Sequence, residues 1–303
     1  MISGPFSTKY KPKFSGHETF PLRYPWIPKI TEKLNGNNTD FEKTKYLLEA
    51  DNGIVEFGIG RNMVKSIEHW AKVTGILDQS SEGKKLSEFG KSVFKNYDPY
   101  LENHSSIWLL HWQLGSNSEL TTWYYIFNYL NSISFTKEQI IMEMMQLSKD
   151  LNWNFSSENT IKRDVDVFIR CYTHLKDKKN NYNEESFESP LSELGIIKHS
   201  SVKNSYDLIL GNKKFLDPKV IAYSVFDYGY RLNQMIIPLD KICSDYGSPG
   251  RVFKIDENSM ISILSDIKQH SNGLLNYSET AGHKQIILEV ASHKELIKNI
   301  YQK

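Results

Sequence analysis

His17 and Glu18 are neighbours in the chain, and Arg23 follows a few residues later. An imidazole beside a carboxylate can do general acid/base work or hold a metal ion, and a guanidinium can clamp a phosphate through paired N–H donors. Phosphodiester cleavage needs such parts: a base or metal to activate water, and a cation to offset the charge that develops on the phosphate. The same residues also suit a structural role. They sit in Phe14–Trp26, a stretch dense in Gly, Pro and aromatic residues with no clean period, where a histidine and a glutamate can tie a loop to its neighbours. The sequence leaves both readings open.

A second set is cationic. Arg61, Lys65, His69 and Lys72 fall on one face of a predicted helix over residues 61 to 74, with Asn62 beside them. Met63, Val64, Ile67, Trp70 and Ala71 form the opposite, apolar face. A helix that buries one face and presents spaced cations can enter a DNA major groove, where the cations meet phosphates and base edges. Glu68 dilutes the charge, and the rival readings are a solvated helix face or a protein-docking face. Lys162, Arg163 and Arg170 repeat the pattern on a helix predicted over 160 to 172. Asp164 and Asp166 lie among them and would repel phosphate; intrahelical salt bridges are the favoured reading for this group, ahead of a DNA face or a divalent-ion site.

Other constellations carry less. His111, between Trp108 and Trp112, reads as a hydrogen-bonded core histidine. Cys171 and Cys243 read as small apolar core residues, too far apart in sequence for a zinc knuckle. Asp256 and Asp266-Ile267-Lys268 mimic a nuclease spacing, but the segment from Asn258 to His270 has helical periodicity, so the match is read as chance. There is no P-loop, no Gly-x-Ser-x-Gly elbow and no complete dinucleotide fingerprint, which argues against ATPase, hydrolase and cofactor-dependent redox classes.

The elements that must position these residues follow from composition and punctuation. The chain has 303 residues, 39% hydrophobic and 24% charged, as expected of globular domains rather than disordered or fibrous chains. Thirty-seven basic and 36 acidic residues leave a formal charge of +1, so contact with nucleic acid must come from local patches. No apolar run is long enough to span a bilayer and no signal peptide is visible, so a cytoplasmic location with no membrane partner is expected. Residues 1–35 read as a basic arm (Lys9, Lys11, Lys13) followed by the Phe14–Arg23 motif. Residues 36–105 read as a winged helix-turn-helix, with helices meeting at Phe57-Gly58-Ile59-Gly60, a wing turning at Ser80–Gly83, and a further helix opening at Leu86. Residues 106–150 read as a helical, Trp-rich connector, and all six tryptophans lie in the first 153 residues, predicting a tryptophan-rich N-terminal core. Residues 151–217 read as a second winged-helix-like unit, interrupted by a polar, mobile loop over Lys176–Glu188. Residues 218–303 read as a helical C-terminal region, with helices over Asn258–His270 and His283–Tyr301. The expected fold is mainly α with small β-wings: tandem winged helix-turn-helix units plus a helical C-terminal region.

Several motifs resemble a bacterial family long described only as a domain of unknown function. They are Phe14-Ser15-Gly16-His17-Glu18-Thr19-Phe20-Pro21-Leu22-Arg23-Tyr24, Gly58-Ile59-Gly60-Arg61-Asn62-Met63-Val64, Asp98–Glu102 and Trp108–Trp112. Thr121–Tyr124, Ser248–Phe253 and Ala281-Gly282 match too, so the resemblance covers nearly the whole chain. It implies a place beside the sulfur-transfer genes of DNA phosphorothioate modification and anti-phage defence, and likeness to the SspB-like DNA-nicking component. It further implies double-stranded DNA, a cysteine desulfurase, an ATP-pyrophosphatase-type sulfurtransferase and an ATPase as partners. It brings no agreed catalytic set, so His17, Glu18 and Arg23 stand as candidates on their chemistry and on their place in the motif. Three functions are in view: a DNA-binding component that nicks one strand with Mg²⁺ or Mn²⁺, a non-catalytic recognition or scaffold subunit docking the sulfurtransferase onto DNA, and a transcriptional regulator of the same locus.

Overall fold

The computed structural model describes residues 4–34, 41–78, 85–153, 157–174, 189–289 and 292–302. The break predicted at Gly36–Asn38, the wing turn at Ser80–Gly83, part of the connection at Asn154–Ser156 and the loop over Lys176–Glu188 lie outside the described residues.

The first helices follow the stripe and stop signals closely. They are α1 (Trp26–Lys33), α2 (Phe41–Leu48), α3 (Ala50–Phe57) and α4 (Arg61–Val73). Gly58 ends α3 in the left-handed region (φ 65°), which turns the chain into α4 within three residues. Val64, Ile67, Trp70 and Ala71 of α4 are buried as the spacing predicts. Leu77 and Leu86 form an isolated antiparallel bridge. The Ser87 hydroxyl then caps α5 (Glu88–Gly90), which runs into a π-helical turn over Lys91–Tyr97. Beyond lie α6 (His104–Gly115) and α7 (Thr121–Tyr124), the latter continued by a π-helical turn over Tyr125–Tyr129.

The middle of the chain forms β1 (Ser134–Thr136), α8 (Lys137–Asp150), α9 (Glu158–Tyr172), a 3₁₀ turn over Pro190–Leu194, β2 (Ile197–His199) and β3 (Ser205–Leu208). The strands pair antiparallel in the order β1-β3-β2. Thr136 ends β1 and caps α8 through its hydroxyl.

The C-terminal region departs further from expectation. It holds α10 (Pro218–Leu232), β4 (Ile236–Pro238), α11 (Leu239–Ser244), α12 (Pro249–Phe253), α13 (Glu257–Ser265), α14 (Ile267–His270), β5 (Leu275–Thr280), β6 (His283–Leu288) and α15 (His293–Tyr301). These strands also pair antiparallel, in the order β4-β6-β5. The predicted helix over His283–Tyr301 is therefore a strand followed by a separate helix, begun by a Ser292–Glu295 capping box. The predicted helix over Asn258–His270 breaks at Asp266. Mainly helical with small antiparallel sheets is the fold observed.

All six tryptophans are buried, none more than 5% exposed, so the predicted tryptophan-rich core is present. The larger of two apolar clusters among the described residues runs from Phe14 to Ile300. The basic N-terminal stretch is packed onto the body of the protein. Phe6 is 1% exposed, stacks on Tyr129 with ring centroids 4.6 Å apart, and meets Trp153 edge-on. The Tyr10 hydroxyl donates to the Ser118 carbonyl at 2.6 Å, and the Trp153 indole donates to the Ser7 carbonyl at 2.7 Å. Two aromatic anchors hold this stretch down despite its lysines.

Candidate nucleic-acid interface

The Phe14–Trp26 motif folds as a tight loop. Gly16 (φ 116°), Glu18 (φ 46°) and Thr19 (φ 67°) all lie in the left-handed region, which turns His17 inward. A Cβ on Gly16 would lie 2.4 Å from His69 Nδ1, so only glycine lets the two pack. His17 is 3% exposed. Its Nδ1 accepts the Thr19 backbone N–H at 3.1 Å, which places the ring hydrogen on Nε2. That hydrogen is donated to Asp164 Oδ1 at 2.7 Å, and the other Asp164 oxygen accepts the Thr122 hydroxyl.

The loop is held from two helices. From α4, the Ser66 hydroxyl donates to the His17 carbonyl at 3.0 Å and the Trp70 indole to the Phe20 carbonyl at 3.1 Å. From α9, Asp164 holds the His17 ring and Arg170 donates to the Thr19 carbonyl at 2.6 Å. Arg23 lies 5.3 Å from the Phe20 ring centroid and 5.5 Å from that of Trp26. Glu18 Oε1 is 3.8 Å from Lys65 Nζ. The Tyr24 hydroxyl donates to Glu193.

This geometry bears on the chemistry considered for the motif. Both His17 ring nitrogens are engaged, so the ring takes a substrate proton or a metal only by giving up a buried hydrogen bond. Mg²⁺ asks for a near-octahedral set of oxygen ligands. Around His17 the motif offers the Glu18 carboxylate and an Asp164 carboxylate already shared by His17 and Thr122, which does not fit a magnesium site. Among the described residues, no group of three or more His, Cys, Asp or Glu side chains is placed to hold a metal ion.

The cationic faces sort into two kinds. On α4, Arg61 pairs with Asp51 at 2.5 Å and Lys72 with Glu68 at 2.6 Å. His69 is packed against the motif loop, and burial, followed by the nearby His17 and Lys72, lowers its pKa to about 3. It is neutral at pH 7 and is not a phosphate contact. On α9, Lys162 pairs with Glu158 at 2.7 Å, Arg170 with Asp166 at 2.9 Å, and Arg163 is exposed with no ion pair among the described residues. The intrahelical bridges expected on α9 are present for Asp166, while Asp164 points into the core. Exposed pairs such as Arg61–Asp51 and Lys162–Glu158 are worth about 0–1 kcal/mol, so a phosphate can displace the acid. Arg61, Asn62, Lys65, Lys162 and Arg163 therefore remain available to a nucleic acid, whereas His69 and Arg170 are committed to holding the loop.

Thr122 was not singled out by sequence, and Asp164, read there as an intrahelical salt-bridge partner, is instead a buried acceptor for His17 and Thr122. A signal existed for Asp164, which lies three residues after Ile161 and one before Val165, on the apolar stripe of its helix. A carboxylate on a buried face needs a partner. His111 is the core residue expected: the Tyr172 hydroxyl donates to Nδ1 and Nε2–H donates to the Val252 carbonyl, both at 2.9 Å. Cys171 is fully buried, its thiol pushed up to about 12 by burial, while Cys243 is only half-buried. Asp256 caps α13 and Asp266 ends it, which accounts for their spacing without a metal.

A family model described as a protein of unknown function, DUF4007, matches residues 14–301. The chain belongs to the DUF4007 family. No curated protein matches its sequence. Among solved structures, the DUF4007 chain is similar to a magnesium ion-bound SspB crystal structure with a TM-score of 0.79 and 22% identity, over 95% of this chain and 86% of that one. A second SspB crystal structure gives a TM-score of 0.77 and 23% identity over the same shares. The resemblance drawn from the motifs is matched by family and by fold.

Proposed function

We propose that this DUF4007 protein is a DNA-binding component of a bacterial DNA phosphorothioation and anti-phage defence system, acting as the recognition subunit that engages double-stranded DNA. The observation that carries this reading is the fold shared with SspB over 95% of the chain. Local topology supports it. The β1-β3-β2 sheet follows a helix–strand–helix–helix–hairpin order with its third strand in the middle, which is the order of a winged helix, and α9, the helix before its hairpin, exposes cations where such a unit meets DNA; the β4-β6-β5 sheet shares the strand order but has four helices before its hairpin. The unit containing β4, β5 and β6 would be a further wing in the C-terminal region. A cysteine desulfurase, a sulfurtransferase and an ATPase are its expected partners.

Strand nicking is the second reading, favoured by the magnesium held in the SspB neighbour. The engaged His17 ring argues against placing such chemistry at the motif. The deciding experiment incubates supercoiled plasmid with the protein in EDTA, Mg²⁺ or Mn²⁺, alongside a Glu18→Gln variant, and measures duplex binding in parallel. Duplex binding without strand breaks is expected. Metal-dependent open circle would make the protein a nickase, with its site elsewhere if Glu18→Gln cuts equally well. Absence of duplex binding would defeat the reading, and selective binding to its own promoter would make it a regulator.

A further inference from the structure

A cavity of about 540 Å³ lies at the base of the β2–β3 hairpin, between the end of α9, the 3₁₀ turn and the chain over 212–215. It is within the range of small-ligand sites. Lys198, His199, Lys213 and Lys214 line it. Lys198 and Lys214 are exposed and make no ion pair among the described residues. Glu193 is the one carboxylate among the described lining residues, and it is already engaged by the Tyr24 hydroxyl and by His104 at 3.6 Å. The Phe14–Tyr24 motif thus reaches this cavity through Tyr24 and occupies its acid. Lys213 is anchored to backbone, donating to the Lys254 carbonyl at 3.0 Å, and burial lowers its pKa to about 8, so it is largely charged at pH 7.

Phe215 forms the rim. It is 54% exposed and holds a left-handed backbone (φ 65°), a conformation costing an L-residue roughly 1–2 kcal/mol. Burial of the ring does not offset that cost. The ring stacks on His104 with centroids 4.4 Å apart, and the Lys214 ammonium lies 4.7 Å from its centroid. A flat ring displayed beside unpaired cations is the arrangement that binds unpaired nucleotides: bases stack on the ring while ammonium groups meet the backbone phosphate. A phosphate would also draw Lys214 away from the ring and leave the ring to a base.

We propose that this cavity takes a nucleotide unit of an unpaired DNA strand, with its phosphate between Lys198 and Lys214 and its base against Phe215. The proposal rests on the DNA-binding reading and adds to it a site for single-stranded substrate distinct from the duplex-facing helices.

The test is fluorescence anisotropy with the full chain, using a labelled oligodeoxythymidylate of about ten nucleotides and, separately, a blunt duplex. The variants are Phe215→Ala and the doubly substituted Lys198→Glu/Lys214→Glu, whose changes are on exposed side chains outside the apolar core. Each is expected to weaken single-strand binding about tenfold or more while duplex binding stays near wild type. Single-strand binding that is absent, unchanged in the charge-reversal variant, or lost in parallel with duplex binding would overturn the proposal. Absence of duplex binding by the wild-type chain, with single-strand binding present, would instead overturn the recognition role. Thymidine monophosphate is the competitor: displacement only at far higher concentration than the strand is expected, and equal potency would reassign the cavity to free nucleotides.

Discussion

Asp164 holds the family motif in place. Its carboxylate joins His17, from a loop 147 residues earlier, to Thr122, and that separation is why the role of the histidine was illegible in sequence while its importance was not. Asp164→Ala leaves a buried N–H and a buried hydroxyl without partners, each costing about 1–3 kcal/mol. Asp164→Asn keeps an acceptor and should cost less. Glu18→Gln, at a half-buried side chain paired only loosely with Lys65, should fall within about 0.5 kcal/mol of wild type. Urea denaturation of the three variants checks the order. His111 gives a pH signature. Burial, with further repulsion from Lys213 and Lys254, lowers its pKa to about 3 despite its bond to the Val252 carbonyl. The unfolded chain protonates this group near pH 6.5 and the folded one does not, so its contribution to stability is complete above that value. It is lost as pH falls from 6.5 towards 3, at about 1.4 kcal/mol per unit. The same denaturation between pH 8 and 4.5 should show this slope together with an equal one from His69, and His111→Gln should flatten it by about one proton.

At the level of elements, α4 and α9 were legible because a stripe of apolar residues with clear stops leaves little choice. The β5–β6 hairpin was not, since Ile286-Ile287-Leu288 is a short apolar run whose period does not distinguish strand from helix. The clue was Ala281-Gly282. Thr280 pairs with His283 across these two residues, whose φ values are 51° and 81°, the turn that matches the twist of paired strands. Alanine is strained there. Ala281→Gly should relieve the strain and stabilise the protein by about 0.5–1 kcal/mol, read as a higher melting temperature. On the helices, Arg61→Ala and Arg163→Ala should each weaken duplex binding without changing sequence preference and each reduce the salt slope by about one, measured by titration across salt concentrations. Arg170→Ala should instead lower stability, because its guanidinium holds the motif loop at the Thr19 carbonyl.

Across the whole molecule, distant elements are fastened by buried polar knots as well as by the apolar core. Asp227 accepts from the Trp112 indole at 2.7 Å, lies 2.9 Å from His293 Nε2 and pairs with Arg231, so α6, α10 and α15 meet at one carboxylate. Burial pushes that carboxyl up, but Arg231, His293 and Trp112 together hold it at about 2. Such knots join residues far apart in sequence, which is why the elements were easier to read than their assembly. The N-terminal stretch shows the same limit, because its lysines suggested a free arm while Phe6 and Tyr10 decided its placement. The pattern shared with the family begins at Phe14. A chain trimmed to that boundary would keep every shared motif yet uncover a socket of Tyr124, Tyr129, Trp153 and Tyr246. Such a protein should melt lower and self-associate in size-exclusion chromatography, with Phe6→Ala in the full chain giving a milder version of the same defect. The plug that seals this molecule thus lies outside the segment by which its relatives are recognised.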